Sequence, residues 1–147
     1  MVSPSSSAGA ASAEPPAGTT YPGERLGLPR TGQGAVAGWP RRVLALVVDW
    51  LACLLVVRLF GASAAAEGWV TLLVFWVEVS LFTALAGGSF GQLVVRISVV
   101  RLDGGPVTLL VSMVRTLLIC VVVPPVIYNR DQRGLHDLAT GTVTVRR

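Results

Sequence analysis

Three stretches of the chain are apolar over nearly their whole length: Val43 to Phe60, Trp69 to Ala86 and Val107 to Tyr128. Each approaches the roughly 20 residues that a helix needs to cross a hydrocarbon core of about 30 Å. The pattern predicts helices over about 43–60, 69–86 and 107–128. Elsewhere the period changes. Ile97 to Leu102 is rich in β-branched residues, and Gly141 to Arg146 alternates small polar with β-branched side chains, so both read as short strands. Gly87, Gly88 and Gly91 break the second helix, and Asp103-Gly104 is a turn signal after the first strand. The expected fold is an all-α membrane protein: two to three transmembrane helices, a small cytoplasmic strand pair and a disordered N-terminal tail.

The tail is assigned to residues 1–34, where Ser, Ala, Gly and Pro leave almost no large aliphatic side chain to offset the entropy of ordering. Residues 35–147 form the membrane domain. Trp39-Pro40-Arg41-Arg42 marks its edge, with an aromatic for the headgroup zone, a proline suited to a helix start and two arginines. No secretory leader precedes it, so the first span serves as the insertion signal. The loop Gly61 to Gly68 carries one acidic residue and no basic one, which by the positive-inside rule turns it outward and leaves the N-terminus cytoplasmic. The expected location is the cell membrane, multi-pass.

The third apolar run poses a conflict. A full crossing would carry Arg130, Arg133, Arg146 and Arg147 outside, against the charge rule, and would keep the two strands apart. A segment that dips in and returns, bending near Pro124-Pro125, removes both objections. Hydropathy favours three spans; charge favours a re-entrant or interfacial segment and a cytoplasmic C-terminus.

Composition supports the membrane assignment: 52% of the 147 residues are hydrophobic and 14% charged, with a mean hydropathy of +0.67. The net charge of +4 comes from 12 basic residues, all arginine, that bracket the apolar runs. No basic helix is interleaved with aromatics, so nucleic acid is not an expected partner. Cys53 and Cys120 lie inside apolar runs outside any ligand spacing, so neither a disulfide, a metal site nor a cofactor is expected.

Ionisable groups within the apolar runs carry the functional information, because each costs roughly 2.5 to 3.5 kcal/mol at the centre of a bilayer helix. Asp49 follows Arg42 by seven residues, which at about 100° per residue returns it to nearly the same face, with Ala45, Leu46, Ala52 and Cys53. That face should meet the protein interior. About two turns separate Arg42 from Asp49, so Arg42 is expected at the headgroups, and Asp49 needs a proton or another partner, with Arg115 the best placed. Arg58 is out of phase and snorkels at the outer end. Glu78, midway along the second helix, is either a neutral hydrogen-bonded carboxyl or a proton relay. Beyond the last apolar run, Asp137 can anchor the chain through backbone N–H groups or an arginine, whereas His136-Asp137 without a nucleophile motif is weak support for a hydrolase.

These residues resemble the signatures of the RDD family of small membrane proteins. Arg42, Ala45 and Asp49 form R-x2-A-x3-D in the first helix. A Gly-rich exit (Gly87-Gly88-Ser-Phe-Gly91), a strand and a DG turn (Asp103-Gly104) precede Arg115, and Arg133-Gly-Leu-His136-Asp137-Leu-Ala-Thr-Gly141 closes the set. The resemblance covers about Val36 to Val145. Where relatives tend to carry Gly-Lys after the second helix, this chain has Gly91-Gln92. The resemblance implies Arg42, Asp49 and Asp137 as motif residues, and either an accessory, scaffolding role or cation/proton exchange. The leading expectation is a non-enzymatic assembly, regulatory or adaptor module in the bilayer that self-associates or joins a larger membrane complex. The alternative is an oligomeric cation/proton antiporter using the intramembrane carboxylates Asp49 and Glu78.

Overall fold

The computed structural model describes residues 21–61, 63, 65–121 and 133–147. Residues 1–20 of the expected tail, the Pro124-Pro125 bend and the end of the third apolar run lie outside the described residues. The elements are α1 Trp39–Leu59, α2 Glu67–Ala86, α3 Phe90–Val94, β1 Ile97–Arg101, α4 Leu109–Val121, α5 Leu135–Ala139 and β2 Thr142–Arg146. A 3-10 turn at Glu24–Leu26 precedes them.

Pro40 sits in the first turn of α1, where a missing N–H costs nothing. Ala45, Asp49, Cys53 and Val57, every fourth residue, are its buried positions, as the face through Arg42 and Asp49 predicts. α2 stops at Gly87, whose φ of 74° places it in the left-handed region while its N–H donates to the Thr83 carbonyl. Among the described residues, α2 is the helix long and apolar enough to cross a membrane; at 1.5 Å per residue its length is about 30 Å. α1 matches it in length but carries Arg41, Arg42, Asp49 and Arg58. The described part of α4 rises only about 20 Å.

β1 and β2 pair antiparallel, Ile97 opposite Arg146 through Arg101 opposite Thr142, the small strand pair expected of these two segments. The chain before α1 adds to the free edge of β2: Val36 bridges Val145, and Ala37 N–H donates to the Thr144 carbonyl at 2.9 Å. Leu26 and Leu28 pack on Val36, Val143 and Val145. Residues 21–34, expected as the end of a solvated tail, are thus folded onto the sheet, because these two leucines find an apolar surface that local composition does not reveal.

The sheet sits where α1 begins and α2 ends, with Val99 N–H on the Gly87 carbonyl at 2.7 Å and Arg147 Nη2 on the Ala86 carbonyl at 2.6 Å. Arg41, Arg42, Arg96, Arg101, Arg146 and Arg147 gather at this end. At the opposite end Arg58 pairs with Glu67 at 2.8 Å.

Polarity is inverted relative to a water-soluble domain. Leu51 and Leu55 on α1, Trp69 and Leu85 (each 78% exposed) on α2, and Leu110 and Val121 on α4 face outward. Inside lie Asp49, Ser80, Thr83, Ser112, Arg115, Thr116 and Asp137. An apolar exterior on this scale marks contact with lipid or protein. Small polar residues let α2 and α4 approach closely, and Ser112 Oγ donates to the Ser80 carbonyl at 2.8 Å.

Candidate functional site

Asp137 is the centre of the buried polar interior. It lies on α5, a single turn opened by Gly134, and is 0% exposed. Arg42 Nη1 from α1 reaches its Oδ2 at 3.0 Å, and Arg115 Nε from α4 reaches its Oδ1 at 3.0 Å. Thr142 and Thr144 of β2 add hydroxyl donors at 3.2 and 3.4 Å. Arg133 donates through Nη2 to the Asp137 backbone carbonyl at 3.1 Å and through Nε to the Thr142 carbonyl at 3.1 Å. One carboxylate thereby ties together two helices, the α5 turn and the sheet. Burial alone would push its pKa up, but Arg115, His136 and Arg42 hold it below the usual carboxylate range.

His136, beside it, has Nε2 3.6 Å from Asp137 Oδ1. Burial, reinforced by the Arg115 charge, lowers its pKa to about 4, so the ring is neutral near pH 7.

Asp49 belongs to a second arrangement. Its Oδ2 accepts from Ser89 Oγ at 2.5 Å, and its Oδ1 accepts from the Gly91 N–H. Ser89 caps α3 and forms a reciprocal box with Gln92: Gln92 N–H donates to Ser89 Oγ, and Ser89 N–H donates to Gln92 Oε1 at 3.1 Å. The N–H groups of Gly91 and Gln92 in the first turn of α3 are thus satisfied from α1 and from within the box. A methyl group on Gly91 would stand 2.8 Å from Asp49 Oδ1 and closer still to the Ala45 carbonyl, so α3 meets the α1 backbone where residue 91 has no room for a side chain. Glu78 Oε1 accepts from Phe90 N–H at 2.9 Å, tying α2 to the same short helix.

Two sequence expectations change. Arg115 pairs with Asp137 and not with Asp49, because β2 and α5 return the chain to the level of α4 while α3 supplies Asp49 with neutral donors. Arg42 does not stay at the headgroups: its guanidinium turns inward, to the Ala37 and Thr144 carbonyls at 3.0 and 3.3 Å as well as to Asp137. Ser89, Gly91, Thr142, Thr144 and Arg133 enter the site without having been singled out for it. The Ser-Phe-Gly-Gln stretch carries a readable capping-box signature; the threonines were legible only as strand formers.

Beside the knot lies a partly open cavity of about 430 Å³. Trp39, Val43, Phe75, Val79 and Ile119 form its apolar wall, and Arg42, Arg115 and His136 its basic side. Asp49 also borders it, with both carboxylate oxygens engaged as described. Arg115, 2% exposed, spends Nε on Asp137 and Nη2 on Thr144, while its buried Nη1 has no hydrogen-bond partner among the described residues. Among the described residues no group of His, Cys, Asp and Glu is arranged to hold a metal ion.

Compared with known proteins, residues 36–141 match the model of the RDD family. No curated protein and no solved structure matches the chain.

Proposed function

The chain belongs to the RDD family, a membrane-associated group, and from that premise we propose that it is a non-enzymatic assembly, regulatory or adaptor module embedded in the cell membrane. The carrying observation is the inverted polarity: charged groups bind one another inside while large apolar side chains cover α1, α2 and α4 outside. Asp49 and Asp137 have their oxygens engaged by intramolecular donors. Carboxylates spent in this way hold the fold, and the working surface is the apolar exterior, which meets lipid and a second membrane-embedded chain. The His136-Asp137 pair belongs to this scaffold too, and hydrolysis is not part of the function.

In this reading α1 and α2 cross the bilayer and α4 re-enters. β1 and β2 share one sheet, so the chain between them leaves and returns on one side. The arginines gathered at the sheet end make that side cytoplasmic under the positive-inside rule, together with both termini.

The test is the state of the protein in a gentle detergent, by light scattering coupled to size exclusion. A homo-oligomer or a stable co-purifying membrane partner is expected; a strictly monomeric particle without a partner overturns the adaptor reading. Proteoliposomes address the antiporter alternative, and no Na⁺- or K⁺-dependent proton flux is expected.

A further inference from the structure

The cavity beside the knot combines two chemistries that scaffolding does not require. Its wall of Trp39, Phe75 and Ile119 is apolar, and its basic side presents Arg42, Arg115 and His136. Arg115 is 2% exposed and its Nη1 lacks a partner among the described residues. A buried guanidinium with unused donors beside an open space calls for an acceptor from outside the chain. The volume of about 430 Å³ falls in the range of about 300–1,000 Å³ typical of small-molecule sites. Asp49, which also borders the cavity, directs its oxygens to Ser89 Oγ and the Gly91 N–H, so its carboxylate is occupied within the chain and does not supply the acceptor for Arg115 Nη1.

We propose that this cavity is an anion site for a phosphate-bearing amphiphile of net negative charge, its phosphate at the Arg115 guanidinium with Arg42 and His136 alongside and its apolar portion along Trp39, Phe75 and Ile119. Phosphate is the shared chemistry of two sources, a lipid headgroup and the free ion. The lipid is favoured because the greater part of the wall is apolar. The proposal goes beyond the adaptor reading and holds whether or not the module self-associates.

The test uses the full chain, delipidated in detergent and titrated with phosphatidylglycerol, phosphatidylcholine or inorganic phosphate. Binding is read by native mass spectrometry and by the ring resonances of His136, the one histidine in the chain. Phosphatidylglycerol is expected to bind at least tenfold more tightly than phosphatidylcholine and to shift the His136 resonances. Val79→Trp, which fills the cavity and leaves the arginines in place, is expected to abolish that response, and Arg115→Lys to weaken it about tenfold. A response to phosphatidylglycerol with none to inorganic phosphate assigns the site to a lipid headgroup; an equal response to both supports the anion and assigns it to the free ion. Equal binding of the two lipids, or a Val79→Trp variant that is folded and binds like the parent chain, overturns the proposal.

Discussion

Arg115 and Asp137, 22 residues apart in sequence, meet with Nε 3.0 Å from Oδ1 at a site where neither is more than 2% exposed. Arg42 reaches the other oxygen from α1. Removing the carboxylate leaves two arginines facing each other, and breaking a buried pair from one side costs about 3–5 kcal/mol. Asp137→Asn is therefore expected to lose stability on that scale. Arg115→Met, which leaves Arg42 and the two threonines on Asp137, is expected to lose less. Thermal unfolding of both variants in one detergent checks the order.

Two small residues, Gly91 and Ala45, stand where the packing leaves no room for larger ones. Gly91→Ala introduces a methyl group where the Ala45 carbonyl and the Asp49 carboxylate already lie, Ala45→Leu enlarges a side chain that is buried against Ala37 and Ile97, and such overpacking typically costs about 1–3 kcal/mol. Each variant is expected to unfold at lower temperature, whereas Leu55→Ala on the outward face of α1 is expected to change the midpoint little. Equal effects at inner and outer positions would contradict this packing.

Gln92 completes the capping box around Ser89. Gln92→Glu keeps an acceptor for the Ser89 N–H and is expected to be close to neutral. Gln92→Lys removes the acceptor and is expected to cost about 0.5–2 kcal/mol, the range for a lost helix cap. Differential scanning fluorimetry of the pair separates a capping role from a requirement for charge at this position.

The pH dependence follows from His136. Its folded-state pKa lies near 4, below the unfolded value of about 6.5, so between these limits the unfolded chain binds more protons than the folded one. Stability is then highest above about pH 6.5 and falls as pH drops towards 4, by at most about 1.4 kcal/mol per unit. His136→Gln is expected to flatten that slope, and NMR titration of the ring should give a midpoint well below 6. A midpoint at or above 6.5 would contradict the environment described for the ring.

A single cysteine placed after Arg147, in a Cys53→Ala, Cys120→Ala background, reports the side on which β2 ends. Labelling in everted vesicles by a membrane-impermeant maleimide, with none in right-side-out cells, is the result expected for a re-entrant third segment.

Much of this architecture is written in local pattern. The periodicity of α1 predicts a buried face through Asp49, and the structure buries Ala45, Asp49, Cys53 and Val57 along it. β-Branched content over 97–102 and alternation over 141–146 predict the strands, and the Gly-rich exit predicts the end of α2. These features depend on residues within one or two turns of each other, where spacing dictates geometry. The pairing of charges is different. Asp49, Glu78, Arg42, Arg115 and Asp137 offer several combinations of opposite sign, and nothing in their spacing selects among them. The tertiary fold selects: α3 brings a serine hydroxyl and a backbone N–H to Asp49, and the β1–β2 pairing carries α5 back so that Asp137 arrives between Arg42 and Arg115. Sequence alone determined that Asp49 had to face the interior, because an unpaired charge in an apolar surround is too costly to leave exposed to lipid; that Arg42 turns inward as well was decided by the fold. Which partner each one took was decided by contacts 22 to 95 residues apart, which exist only once the sheet and the helices have packed.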